Sequence, residues 1–280
     1  MKKRILSAVI AIFVIVCLSV SALAEEETPT EYNNMVSLLM EGETGTVLQH
    51  NGGYEKVAQG TLNKLMTVLL TAEEIESGGL SINDVVTVSS NANAQTGAVV
   101  WLMPGEEITI EELLKSVIIG NANDASVALA EIVGGNEEEF TGMMNARAFE
   151  LGMRNTVFKN PAGYDCAGQY STPYDMALLC RELLKHEFLY KIMNTWIDRV
   201  RGGQTEIVNE NRLVRTYEGV IGLKASHTEA SGYCLALAAE RNGKLYIAIV
   251  MGGSDEDGRF AVGKELLSNG FSMYLSLIHI

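Results

Sequence analysis

Proline is nearly absent from the chain, at 4 of 280 residues, and this scarcity excludes collagen-like and proline-rich disordered sequences. Positive charge is also short: 21 Lys and Arg stand against 35 Asp and Glu, a formal net charge of −14. Sequence-independent nucleic-acid binding needs a basic surface, so nucleic acids are excluded as partners. Of 4 cysteines, Cys17 lies in the N-terminal run, and Cys166, Cys180 and Cys234 are too few and too scattered for a disulfide framework or a zinc site. They read as core or free thiols. No apolar run reaches the roughly 20 residues needed to span a bilayer, which excludes a multi-span membrane protein. What the chain does have is 47% apolar and 20% charged residues, ordinary for a globule and enough for a sizeable core.

Lys2, Lys3 and Arg4 precede an uncharged apolar run over residues 5–20, and Ala22-Leu23-Ala24 supplies small residues at the spacing a signal peptidase reads. Residues 1–24 are therefore expected to be a secretory signal rather than an uncleaved anchor, for which the run is short. Val16 is not a small residue, so lipid attachment at Cys17 is not indicated. The mature protein is expected to be extracytoplasmic, in the cell wall or periplasmic space or secreted, more acidic than its precursor, and without a stable membrane anchor. Residues 25–34 are polar and read as a flexible lead-in.

Residues 35–40 and 46–49, separated by Glu41-Gly42-Glu43-Thr44-Gly45, predict a β-hairpin. Over residues 61–76 the apolar positions Leu62, Leu65, Met66, Leu69 and Leu70 recur at helical spacing, and Gly78-Gly79 ends the pattern. Further helices are expected over 111–119, 123–133, 137–151 and 172–184, between Gly-Asn, Gly-Gly and Asn-Pro breaks. Strands follow over 220–225, 232–239 and 244–251, the last two joined by Arg241-Asn242-Gly243, and a final helix over 259–274. The order predicts an α+β domain in which N- and C-terminal strands meet in one antiparallel sheet beside a large helical subdomain. One domain is expected over 35–274, with 275–280 an unassigned tail of a truncated chain.

Three segments place polar groups beside Gly or Ala at element boundaries. In Gly60-Thr61-Leu62-Asn63-Lys64, Thr61 and Lys64 are three apart and share a helix face, setting a hydroxyl beside an amine. In Gly120-Asn121-Ala122-Asn123-Asp124, the amides sit at a helix start. In Gly222-Leu223-Lys224-Ala225-Ser226-His227-Thr228, Lys224 ends a strand whose backbone could pair with an extended peptide. Each also has a bland reading: Thr61 and Asn123 as N-caps, and Lys224 as a solvated strand residue.

Taken in order, these segments resemble the serine D-Ala-D-Ala carboxypeptidases, low-molecular-mass penicillin-binding proteins that trim peptidoglycan stem peptides. The resemblance covers about residues 35–274. It extends to Leu102-Met103-Pro104-Gly105-Glu106, Asn123-Asp124-Ala125 with Leu129-Ala130-Glu131, Met144-Asn145 with Leu151-Gly152-Met153, Asn160-Pro161, Ser171-Thr172 with Tyr174-Asp175, and Thr228-Glu229-Ala230-Ser231-Gly232-Tyr233-Cys234. It implies a β-lactamase/transpeptidase-like fold and a site built from S-x-x-K, S-x-N and K-T-G motifs. Thr61 and Lys64, Asn121 and Asn123, and Lys224 with Ala225 and Ser226 take those places. Stem peptides and β-lactams are the implied ligands, and no metal or organic cofactor is called for.

The sequence departs from all three motifs. Thr61 keeps a hydroxyl but adds a β-methyl that restricts χ1 and crowds the attack face. Asn121 puts an amide, which cannot readily pass a proton, where the family has a hydroxyl. Ala225 removes a hydroxyl expected to meet the substrate carboxylate, and Ser226 adds a side chain where Gly admits the substrate; His227 and Thr228 stand nearby as replacements. The expected function is recognition of D-Ala-D-Ala stem peptides with impaired catalysis, in a site kept cationic by Lys64 and Lys224. The alternative is an active carboxypeptidase with Thr61 as nucleophile, Lys64 as base, and Ser226 or Thr228 supplying the missing hydroxyl. A β-lactamase ranks third, because Glu182 and Glu187 fall in a helical region and offer no deacylating acid.

Overall fold

Strand β1 (Val36–Glu41) is buried on both faces, and its period-two alternation divides it between two cores. Leu38 and Met40 join the larger hydrophobic cluster, Leu39 the smaller. The computed structural model in which this is seen describes residues 35–278, with side chains as far as residue 273. The expected signal over 1–24 and the lead-in over 25–34 lie outside the described residues.

From β1 the chain turns into β2 (Val47–Asn51), as the hairpin expectation requires. A 3-10 turn (Gly60–Asn63) then runs directly into α1 (Lys64–Ser77). Leu65, Met66, Val68, Leu69, Leu70 and Ala72 are buried around almost the whole circumference of α1, as befits a central helix that the others surround. Gly78, at φ 84°, ends it in the left-handed conformation that glycine tolerates best. There follow β3 (Val85–Thr87), α2 (Ser90–Asn93), β4 (Glu107–Thr109), α3 (Ile110–Ile118), α4 (Asn123–Gly134), α5 (Glu137–Glu150), α6 (Pro173–Leu183) and α7 (Tyr190–Met193). The chain closes with β5 (Ile197–Val200), β6 (Thr205–Val208), β7 (Val220–Thr228), β8 (Gly232–Arg241), β9 (Lys244–Gly253) and α8 (Glu256–Ile278). Local sequence explains the starts: Thr109 and Glu112 form a reciprocal capping box on α3, and Thr172 caps α6 just before Pro173.

The main sheet has the order β2-β1-β9-β8-β7, antiparallel throughout, so the N-terminal hairpin is stitched to the C-terminal strands by β1 and β9. The helical subdomain packs on one face. Helix α8 covers the other, where Phe260, Leu266, Leu267 and Phe271 meet Leu235, Leu237, Ala248 and Val250. This is the α+β architecture expected, and it leaves β7 as an edge strand facing the helical block. Among the described residues no helix is long and apolar enough to cross a membrane.

Several boundaries differ from the sequence reading. Strand β7 continues through Thr228, so Lys224 lies inside it and is buried, neither ending the strand nor solvated. Neither Thr61 nor Asn123 is an N-cap: those positions belong to Gln59 and Asn63 around the 3-10 turn, and to Ala122 before α4. The closing helix begins at Glu256 and runs on to Ile278, through part of the segment read as a separate tail. The short ribbons β3–β4 and β5–β6 were not expected, being three or four residues per strand.

Candidate active site

Two glycines bring the 3-10 turn against its neighbours. Gly60 has φ 50°, and a Cβ there would sit 2.3 Å from Ser231 Oγ; Gly163, at φ 82°, would put a Cβ 2.6 Å from Thr61 Cα and 2.7 Å from Gly60 O. Thr61 is thereby clamped between the β7–β8 end of the sheet and the loop over residues 160–165. The loop is pinned in turn by Asp165, whose carboxylate accepts from Thr228 Oγ1 at 2.7 Å and from Ala230 N at 3.1 Å. From the far side of the sheet, buried Arg259 of α8 donates through Nη1 to Ser226 O at 2.7 Å and to Cys234 O at 3.3 Å, holding the end of β7.

Inside this frame the polar contacts differ from those of a hydroxyl primed by an amine. Thr61 Oγ1 donates to Ser226 Oγ at 2.9 Å. Lys64, fully buried, donates from Nζ to Asn123 Oδ1 at 2.7 Å and to Ala162 O at 2.5 Å, and none of its hydrogen bonds among the described residues goes to Thr61. Lys64 Nζ is drawn to acceptors on other elements, the Asn123 side chain at the start of α4 and the Ala162 carbonyl in the loop over residues 160–165, and Thr61 to the end of β7. Asn123 Nδ2 donates to Thr96 O at 2.6 Å, which fixes Oδ1 towards the amine. Asp124 accepts from Val100 N, Leu102 N and Ala125 N, anchoring residues 100–102 beside the cleft.

Lys224 donates from Nζ to Val117 O at 3.1 Å, in the helical subdomain. Strand alternation puts Ser226 on the same side, since Lys224 pairs with Ala236 and Ser226 with Cys234, both of the larger core. Ala225 pairs with Leu235 and packs into the smaller core with it. The β-carbon at 225 therefore lies with the hydrophobic layer under α8, not among the cleft's polar groups. His227 is exposed and its ring lies 4.2 Å from that of Tyr233, while Thr228 is engaged by Asp165. The structure thus gathers Thr61, Lys64, Asn123, Lys224 and Ser226, and leaves Ala225, His227 and Thr228 at the margin.

Asn121 sits in the left-handed region at φ 55°. Its Nδ2 donates to Glu210 Oε1 at 3.1 Å, while its buried Oδ1 has no partner among the described residues. Glu210 is the site residue that motif reading missed. Its only signal was position, between Asn209 and Asn211 in the approach to β7. Electrostatics also shift the expectation of a cationic cleft. Burial, reinforced by the neighbouring charge of Lys224, holds the Lys64 amine well below its ordinary value, with Glu210 and Asp124 opposing. Burial likewise brings Lys224 down to about 8, with Glu210 opposing. Two desolvated amines and one carboxylate make a far less positive site than two exposed lysines would.

Similar proteins extend over most of this frame. A family profile described as D-alanyl-D-alanine carboxypeptidase matches residues 23–255. The D-alanyl-D-alanine carboxypeptidase DacF of Bacillus subtilis is 38% identical over 279 residues, covering 97% of this chain and 72% of that protein. DacC of Escherichia coli is 32% identical over 248 residues, 85% of this chain but only 61% of its own length, so the chain spans about three-fifths of that relative. Among solved structures, penicillin-binding protein 5 from Haemophilus influenzae superposes with a TM-score of 0.81 at 29% identity, over 88% of this chain and 72% of that one. Penicillin-binding protein D2 from Listeria monocytogenes, in its cefotaxime-bound form, does so with a TM-score of 0.76 at 26% identity, over 84% and 96%.

Proposed function

The chain belongs to the D-alanyl-D-alanine carboxypeptidase family, and from that premise we propose an exported, peptidoglycan-associated protein that recognises D-Ala-D-Ala stem peptides while its acyl-transfer chemistry is impaired. The observation that carries the proposal is the partner of one hydroxyl. Acyl transfer needs the Thr61 hydroxyl to give its proton to a base as its oxygen meets a carbonyl carbon about 3–3.5 Å away. Here that hydroxyl is paired with Ser226 Oγ, and the Lys64 amine is engaged by Asn123 and Ala162. Loss of a positioned proton acceptor costs about 10² to 10⁴ in rate. The β-methyl of Thr61 and the side chain of Ser226 narrow the approach further. The edge of β7 remains available to an extended peptide, which supports retained recognition.

The same hydroxyl pair favours a second reading, an active carboxypeptidase in which Ser226 relays the Thr61 proton. Lys64, its amine already lowered, would be the base. Thr228 does not fill that part, because its hydroxyl is committed to Asp165. Incubation with a labelled penicillin, read by intact-protein mass, separates the two. The expected result is no stoichiometric adduct and no D-Ala release from a pentapeptide, alongside measurable peptide binding by calorimetry. A full adduct abolished by Thr61→Ala, with D-Ala release, would establish the second reading instead.

A further inference from the structure

The two walls beside the Lys64–Asn123 pair are joined by one side chain. Tyr164, from the loop over residues 160–165, reaches the segment that runs past Asn123 on the other wall. Its hydroxyl donates to Gln95 Oε1 at 2.8 Å and accepts from Thr96 N at 3.3 Å, with Thr96 O a second acceptor at 3.2 Å. Among the described residues no other hydrogen bond joins residues 160–165 to residues 94–102. The two ends of this bridge are unequal. The loop is fixed: Asn160 Oδ1 accepts from Gly163 N and Tyr164 N, Thr67 Oγ1 donates to Pro161 O, and Asp165 holds Thr228. On the other wall Thr96, Gly97 and Ala98 are exposed, and Asn123 ties them to α4 by donating from Nδ2 to Thr96 O and from its backbone N to Ala98 O at 2.7 Å.

Both polar ends of the Asn123 side chain are consumed, Oδ1 by Lys64 and Nδ2 by Thr96 O. A peptide carbonyl can take Nδ2 only when Thr96 moves off it, and Tyr164 holds Thr96 in place. Lys64 has no exposed surface and Asn123 is 6% exposed, whereas Tyr164 is half-buried and can leave by rotating its own side chain. Burial pushes the Tyr164 phenol up from its ordinary value, against hydrogen bonds with Thr96 and Asn123, so the hydroxyl keeps its proton for Gln95 at neutral pH. We propose that Tyr164 gates this cleft: bonded to Gln95 and Thr96 it seals Asn123 and Lys64, and a stem peptide engages Asn123 only once the Tyr164 hydroxyl has been displaced. That the ligand is a stem peptide rests on the function proposed above; the seal over Lys64 stands apart from it.

The test uses the full chain as wild type, Tyr164→Phe and the double variant Tyr164→Phe/Gln95→Ala. Tyr164→Phe keeps the ring and deletes the hydroxyl, so folding, checked by thermal melting, should persist. Loss of one neutral hydrogen bond shifts a closed–open equilibrium about fivefold. Acetic anhydride, with the product read by peptide mass, should therefore acetylate Lys64 about fivefold faster in Tyr164→Phe than in wild type. Lys224, equally buried but bonded to Val117 O, is the internal reference for global unfolding and should label at an unchanged rate. Adding Gln95→Ala should change Lys64 labelling no further, since Gln95 acts through the hydroxyl already removed. By calorimetry, diacetyl-L-Lys-D-Ala-D-Ala should bind Tyr164→Phe about fivefold more tightly than wild type, because more of the protein is open. Unchanged Lys64 labelling, a parallel rise at Lys64 and Lys224, or equal peptide affinity in the two proteins would overturn the gate and leave recognition to be judged by the binding itself. Faster Lys64 labelling alone, with the peptide bound by neither protein, would uphold the seal over Lys64 and overturn stem-peptide recognition.

Discussion

If Ser226 diverts the Thr61 hydroxyl, restoring serine at position 61 alone should restore little acylation, and removing Ser226 as well should restore more. Thr61→Ser deletes the β-methyl and frees χ1, but the new hydroxyl still finds Ser226 Oγ, 2.9 Å from the present one. A neutral hydroxyl–hydroxyl bond contributes about 1 kcal/mol, which holds back about five-sixths of the side chains from turning towards Lys64. Thr61→Ser is therefore expected to raise the rate of penicillin acylation by less than about tenfold. The double variant Thr61→Ser/Ser226→Gly releases that fraction and clears the strand edge, so it should exceed Thr61→Ser by about fivefold or more. Its fold should persist, because the Arg259 bond at this position is to the Ser226 carbonyl, at a cost of about 1 kcal/mol for Gly within a strand. The assay is the second-order rate of adduct formation with a fluorescent penicillin, confirmed by intact mass. Equal rates in the single and double variants, including equal absence of adduct, would refute the role given to Ser226.

The clamp on Thr61 can be tested with two glycines of nearly equal φ: Gly163 at 82° and Gly152 at 83°. A Cβ at Gly152 meets nothing within 4 Å, so Gly152→Ala should cost only the backbone strain of about 1 kcal/mol, whereas Gly163→Ala adds overpacking of about 1–3 kcal/mol against Thr61 and Gly60; equal losses on urea unfolding would dismiss the clamp. The burial of Lys224 makes a signed pH prediction. Its folded value of about 8 lies below its ordinary 10.5, so between these the unfolded chain holds the proton that the folded chain has lost, and this residue's contribution to stability rises with pH. From about pH 7.5 to about pH 9.5 that rise is about 2 kcal/mol, and Lys224→Met should remove it; parallel pH profiles for the two proteins would contradict the assignment.

The fold was largely readable because its signals are local. A Gly-containing turn between two apolar runs, helical spacing closed by Gly78-Gly79, and Arg241-Asn242-Gly243 between two strands each name an element without reference to the rest of the chain. The site was readable as a set of positions but not as a set of contacts. Gly222 and Leu223 have φ of 118° and 93°, which breaks the alternation of β7 just before Lys224. Leu223 and Lys224 consequently both serve the helical side, and Ala225 falls to the other core. Only glycine fits at 222, where a Cβ would lie 2.2 Å from Met193 O. Glu210 was invisible for a related reason: what matters is its reach to Asn121 across 89 positions of sequence, and no periodicity records that.

The three motif segments also bear on one another. The structure connects the polar groups of the three segments into separate pairs: Thr61 with Ser226, Lys64 with Asn123, and Asn121 with Glu210. Each pair satisfies buried polar atoms that would otherwise cost about 1–3 kcal/mol, so each stabilises the folded state. None links a hydroxyl to an amine, the connection that proton transfer in acyl chemistry requires. A site that had only decayed would be left with orphaned donors and acceptors around the two lysines. This one instead has both lysines hydrogen-bonded, and the two unpaired buried oxygens of its motif segments among the described residues, Asn63 Oδ1 and Asn121 Oδ1, belong to neither lysine's partners. The polar groups around the two lysines are thus mutually satisfied, and the stability gained from that arrangement opposes a gain of acyl-transfer chemistry by any single substitution.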